Sequence, residues 1–232
     1  GCKFIYTIPN FQNPTGVTMT LARRKRLIEL AREYGTVIIE DDPYGRLRYA
    51  GEPVAPMRSM DDRVIYLGTV SKIFAPGLRV GWIIAPKPIL DHINLVKQGT
   101  DLCGSALNQV IVERYFSIDW RSILASLVEV YKPRRAAMLA ALEEYFPPEA
   151  TWTHPEGGFF VWVTPPEYLD TDQLLSLALE RGVTYVPGAG CYPDGRGGSS
   201  MRIAFCYEKP EDIREAIQRL AKVIEERMEL YR

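Results

Sequence analysis

A chain of 232 residues with 47% hydrophobic side chains can bury one large core or two modest ones, and 28 basic residues against 29 acidic ones leave a net charge of −1. That balance carries no electrostatic footprint for nucleic acid, and no apolar run of about eighteen residues marks a membrane span, so the expected partner is a small molecule. Four cysteines, Cys2, Cys103, Cys191 and Cys206, lie far apart without a CxxC pair, and His92 and His154 stand alone; neither a metal site nor a disulfide framework is indicated, and a reducing cytoplasm fits.

The opening GCKFIYTIPN has neither an initiator methionine nor the regions of a signal peptide and reads at once as a strand, so the chain is expected to be a segment of a longer protein. The first strand is expected at 3–8. TLARRKRLIELAREYG then reads as a helix with Thr20 as N-cap, Gly35 as stop, and Leu27, Leu30, Ala31 and Tyr34 on its apolar face. TVIIEDD (36–42), RVIYLGTVSK (63–72) and LRVGWIIAP (78–86) supply three more strands. The first three strands are continuously apolar, as in strands buried on both faces of a mostly parallel sheet. Helices follow at 87–100, 105–117 and 119–146, the last expected to bend at Pro133, which cannot donate to the helical ladder. ATWTHPEGGFFVWVTPP and SSMRIAFCYE read as strands, with helices at 171–181 and 210–228. In the final helix Ile213, Ile217, Leu220 and Ile224 make an apolar stripe behind Pro210. The predicted division is an α/β domain over 1–128 and a smaller α+β domain over 129–232.

In open parallel sheets, ligands bind beyond the carboxyl ends of the strands. Asp41 ends the second strand, residues 69–72 end the third, and the loop NFQNPTG, with Asn13, follows the first. These strand ends are expected to deliver an amide, a carboxylate, two hydroxyls and a lysine to one edge.

NPTG (13–16), DDPYG (41–45), TVSK with Arg79 (69–79), PEGGFFVW (155–162) and MRIAF (201–205), in that order, closely resemble the pyridoxal-phosphate-dependent aminotransferases of fold type I. The nearest likeness is the branch containing 2-aminoadipate, kynurenine and aromatic amino acid aminotransferases, and it runs over the whole chain. It implies an α/β fold, the PLP-dependent transferase fold, whose mostly parallel sheet is flanked by helices. Residues 1–128 would be an incomplete large domain, and 129–232 the small C-terminal domain.

By this resemblance Lys72 holds pyridoxal 5'-phosphate as an imine and serves as general acid and base once freed. Asp41 is the carboxylate that bonds the pyridine nitrogen, with Asp42 the structural neighbour. Tyr44 and Asn13 donate to the cofactor's phenolic oxygen, and Thr69, Ser71 and Arg79 hold its phosphate, Thr69 standing where many relatives carry serine. Arg202 grips the substrate α-carboxylate, with Asn13 also on the substrate side. No metal is implied. The implied reaction moves the amino group of an L-amino acid to a 2-oxo acid, expected to be 2-oxoglutarate, in a cytoplasmic homodimer. Two alternatives stay open: a PLP-binding transcription regulator with an aminotransferase-like effector domain, and a related PLP lyase or synthase. The intact asparagine of NPTG and proline-tyrosine of DDPYG favour an enzyme over the regulator, and Arg202 with PEGGFFVW favours transamination. The preferred amino donor is not legible, because the loops that read it are implied to lie outside this chain.

Overall fold

The computed structural model of the chain describes residues 1–231. They fall into two compact units, one made of Gly1–Asn10 with Thr18–Leu127 and the other of Phe11–Val17 with the residues from Val128 onward.

In the first unit β1 (Phe4–Thr7), β2 (Val37–Asp41), β3 (Ile65–Thr69) and β4 (Gly81–Ile84) form one sheet in that order. β1, β2 and β3 are parallel and β4 returns antiparallel to β3. Pairing of Thr7 with Glu40 and of Asp41 with Leu67 brings the carboxyl ends of the three parallel strands to one edge. α1 (Leu21–Glu33) makes the crossover between β1 and β2, and the Thr20 hydroxyl caps it by accepting the Arg23 N–H at 3.4 Å. The buried face of α1 is Arg24, Ile28 and Ala31, while Tyr34, expected on that face, is 72% exposed. The face is rotated because an arginine occupies the first position of an i, i+4, i+7 stripe, which a count of apolar residues passes over. Ile28 and Ala31 meet Ile38, Met57 and Val64 in the core of this unit.

The expectation that the first three strands are buried on both faces fails at β1. Phe4 and Tyr6 are more than half exposed there, because β1 is an edge of this sheet. α2 (Lys87–Thr100), α3 (Ala106–Ser117) and α4 (Trp120–Tyr145) follow, and Pro133 lies within α4 without ending it.

In the second unit β5 (Thr151–Trp152), β6 (Phe160–Thr164), β8 (Met201–Ala204) and β7 (Val186–Pro187) form an antiparallel sheet in that spatial order. α5 (Thr171–Glu180) starts at Asp170, whose carboxylate accepts the N–H groups of Asp172 and Gln173. α6 (Pro210–Glu229) buries the expected stripe of Ile213, Ile217, Leu220 and Ile224. Val161, Val163, Met201 and Leu142 are fully buried in the same unit, each side chain stabilising it by roughly 1.5–3 kcal/mol.

The observed division after Leu127 falls beside the expected boundary at 128. Phe11–Val17, by sequence position part of the first domain, belongs instead to the second unit. Two contacts explain this. The Thr153 hydroxyl donates to the Thr15 carbonyl at 2.7 Å, and Gly16, at φ +70°, passes so close to β6 that a Cβ there would lie 2.3 Å from the Phe160 carbonyl oxygen.

Candidate active site

The first unit presents its candidate residues at the carboxyl ends of β2 and β3. Asp41 is the last residue of β2, and its Oδ2 accepts the Tyr6 hydroxyl from β1 at 2.5 Å. Burial, and next the hydrogen bond to Asp41, push the Tyr6 phenol well above its ordinary range, so it stays a donor at any working pH. One carboxylate oxygen is thus engaged and the other is left for an outside donor. Tyr6 went unmarked in the sequence, where it is one of several β-forming residues in an apolar run. The available signal was its register two residues short of Asp41's level on the neighbouring strand, which only the pairing reveals.

Asp42 is committed differently. It accepts Asn10 Nδ2 at 2.8 Å, the Gly45 N–H at 3.0 Å and the Tyr66 hydroxyl at 3.0 Å. Its neighbour Tyr44 is buried, 6% exposed, inside the turn that these bonds close.

At the end of β3 the Thr69 hydroxyl lies 2.9 Å from Ser71 Oγ and 3.0 Å from the Val80 carbonyl, and it accepts the Ser71 N–H at 3.1 Å. The single Thr69 proton serves one of these two oxygens at a time, and when it goes to Ser71 Oγ the Ser71 proton is free for an outside oxygen. Lys72 follows directly, half-buried between the buried Val70 and Ile73, and makes no hydrogen bond or ion pair with any described residue. Arg79 takes the left-handed conformation, φ +53° and ψ +44°, uncommon for a residue with a side chain and found preferentially at functional sites. Its exposed guanidinium donates only to the Pro76 carbonyl, at 3.3 Å.

The second unit holds the remaining two. Arg202, on β8, donates through Nη1 to Asn13 Oδ1 at 2.7 Å, and its guanidinium lies 4.4 Å from the centroid of the Phe160 ring. Its Nε is buried and has no hydrogen-bond partner among the described residues. A buried donor left open costs about 1–3 kcal/mol, which an arriving anion would recover. With its oxygen on Arg202, the Asn13 amide leaves its NH₂ without a partner among the described residues. By this bond Asn13 is held with Arg202 in the second unit.

This donor set suits a phosphorylated, nitrogen-containing ring aldehyde. It offers an unpaired lysine for the aldehyde, a half-engaged carboxylate for a ring nitrogen, and hydroxyls with a guanidinium for a phosphate. Such a set on a parallel sheet edge, in a chain whose antiparallel unit carries an arginine with an open donor, is that of a cofactor-dependent group-transfer protein.

The chain belongs to the aminotransferase class I and II family, whose model matches residues 2–220. It is 50% identical over 229 residues to aromatic-amino-acid aminotransferase 1 of Thermococcus litoralis, covering 97% of this chain and 55% of that protein. Among solved structures it resembles LysN, the alpha-aminoadipate aminotransferase of Thermus thermophilus complexed with N-(5'-phosphopyridoxyl)-L-leucine. The TM-score there is 0.92 at 35% identity, over 98% of this chain and 60% of that one. It is also 36% identical over 225 residues to an uncharacterized HTH-type transcriptional regulator of Bacillus subtilis, over 96% of this chain and 46% of the regulator. The chain thus spans about half the length of the relatives it matches.

Proposed function

We propose that this chain is the part of an aminotransferase that carries the pyridoxal phosphate lysine and the arginine for the substrate carboxylate. The full protein moves the amino group of an L-amino acid to a 2-oxo acid, 2-oxoglutarate being the expected acceptor. The observation that carries this reading is Lys72: a half-buried lysine without a partner, placed directly after paired hydroxyls at a strand end and beside the strand that ends in Asp41.

When bound, pyridoxal phosphate supplies an aldehyde that takes up an amino group and a ring that accepts the electrons released at the substrate α-carbon. Lys72 Nζ would hold the cofactor between turnovers and, when free, would take up the proton of the substrate α-carbon as general base and give it back as general acid. The open oxygen of Asp41 would keep a proton on the ring nitrogen, with Tyr6 holding the other oxygen. Ser71 Oγ and the Arg79 guanidinium bind the phosphate, and Thr69 orients Ser71. Tyr44 and the Asn13 NH₂ would donate to the ring's phenolic oxygen. Arg202 presents Nε and its second amino group to the substrate α-carboxylate as a planar fork, and Phe160 supports it from the face.

The test is chemical. Full-length protein loaded with pyridoxal phosphate and treated with borohydride should retain the cofactor on the peptide that contains residues 70–79, and Lys72→Ala should remove both that label and multiple turnover. Proton transfer by a positioned base contributes about 10²- to 10⁴-fold in rate. Labelling at another lysine would sink the assignment. A second reading rests on the likeness to the Bacillus subtilis regulator. Both readings keep Lys72 and Asp41 and part at turnover: a full-length protein that binds the cofactor, converts no amino donor and carries a helix-turn-helix is the regulator.

A further inference from the structure

Arg24 is the largest fully buried side chain of the first unit, with no exposed surface, and it spends its donors on four acceptors. Nε bonds the Met19 carbonyl at 3.0 Å, Nη1 the Ala55 carbonyl at 3.1 Å, and Nη2 the Pro9 carbonyl at 3.1 Å and Asn10 Oδ1 at 2.6 Å. Its charge faces Glu40, itself fully buried, at 3.8 Å. Pro9 and Met19 bracket the segment in which Phe11–Val17 leaves the first unit and returns, so one guanidinium pins both ends of that excursion. Through Asn10 the same group reaches the end of β2, because Asn10 Nδ2 donates to Asp42.

Asp42 is the residue to which this network attaches. Its N–H continues the ladder to the Leu67 carbonyl at 3.0 Å, and its carboxylate receives Asn10, Gly45 and Tyr66. Gly45 has no side chain for a steric reason: a Cβ there would lie 2.3 Å from Asp42 Oδ1 and 2.8 Å from Asn10 Nδ2. The pair borders a cleft of about 400 Å³, so directed bonds rather than apolar packing fix its place. The peptide joining Asp42 to Asp41 is consequently held from three sides.

We propose that Asn10 is a positioning residue: braced by Arg24, it locks Asp42 and thereby fixes the Asp41 carboxylate and the turn bearing Tyr44. This rests on the reading of Asp41 as the partner of the cofactor's ring nitrogen. Asn10 touches neither cofactor nor substrate; it sets how narrowly Asp41 is aimed. A tolerance of roughly 0.5 Å separates a productive constellation from a loose one, and a misplacement of about 1 Å can cost 10²-fold.

The experiment compares Asn10→Leu, Asp42→Asn, their double variant and Asp41→Asn in the full-length protein. The readouts are dissociation constants for pyridoxal phosphate from its visible absorbance, kcat and KM for an amino donor, and thermal midpoints. Asn10→Leu and Asp42→Asn should each weaken the cofactor and lower kcat by about tenfold, with KM for the donor within about twofold. The double variant should fall no further than either single, because both break one lock; independent effects would multiply to about 100-fold. Asn10→Asp keeps the acceptor for Arg24, replaces the donor to Asp42 by a carboxylate that repels it, and so should lower cofactor affinity and kcat at least as far as Asn10→Leu even where the leucine variant folds poorly. Loss of thermal stability with parental cofactor affinity and kcat, or multiplicative losses in the double variant, would overturn the proposal. Parental cofactor affinity and kcat in Asp41→Asn would instead overturn the assignment of Asp41.

Discussion

Replacing Arg24 by methionine is the severest single change the first unit offers, and its size follows from what is left behind. The substitution fills most of the volume but strands Glu40, fully buried, whose carboxylate keeps only the N–H groups of Met57 and Arg58 at 2.9 Å each. It also removes donors from three backbone carbonyls and from Asn10. Breaking a buried ion pair from one side costs about 3–5 kcal/mol. With a urea slope of about 2–3 kcal/mol/M, the unfolding midpoint should drop by roughly 1–2.5 M. The pH dependence carries the sharper signature. Burial holds the Glu40 carboxyl above its ordinary range even with Arg24 present, and Asp42 adds to that push. Removing Arg24 raises it further. A carboxyl raised in the folded state favours folding when protonated and opposes it when ionised, so the deficit of the variant against the parent should be fullest at neutral pH and shrink as pH falls through the folded-state value, above 4.5. Urea titrations of both proteins, monitored by circular dichroism at several pH values, measure this directly. A loss under about 1 kcal/mol at neutral pH, or a deficit that grows in acid, would refute the reasoning.

Tyr6→Phe removes the 2.5 Å bond to Asp41 from a residue more than half exposed in this chain, so stability should hardly change while cofactor affinity falls by about tenfold, the weight of one charge-assisted bond; unchanged affinity in an absorbance titration would remove Tyr6 from the site. Gly16→Ala forces a side chain onto φ +70° and against the Phe160 carbonyl, a strain of about 1–3 kcal/mol that should displace the loop bearing Asn13, raise KM for the amino donor severalfold and weaken the cofactor; steady-state kinetics with a parental KM would show that the loop relaxes at no cost to Arg202.

Much of the architecture was legible because periodicity and punctuation are local. The four strands of the first unit, Thr20 as a cap and the stripe of α6 all follow from spacing within about ten residues. What escaped depends on partners distant in sequence. An apolar run such as FIYT does not say whether it becomes an edge, and β7, of two residues, is too short to show alternation. Arg24 reads as one more basic residue in LARRKRLIEL, since its burial is made possible by carbonyls of Pro9, Met19 and Ala55 that no pattern places beside it. The candidate site followed the same rule. The ordered motifs named the candidate residue types, whereas the departure of Phe11–Val17 to the second unit follows from the close approach of Gly16 to β6, a steric fact of the folded chain.

The run Glu40, Asp41, Asp42 shows how far sequence alone can go. Three successive carboxylates would repel one another on any shared surface, and nothing in their order assigns them roles. The strand does it by alternation and by register. Glu40 turns into the core, where Arg24 and two backbone N–H groups meet its charge. Asp41 turns the other way and takes a single phenol, keeping one oxygen open. Asp42, just past the strand, is filled by an amide, a backbone N–H and a second phenol. The carboxylate with the fewest internal donors is the one able to serve an outside cation.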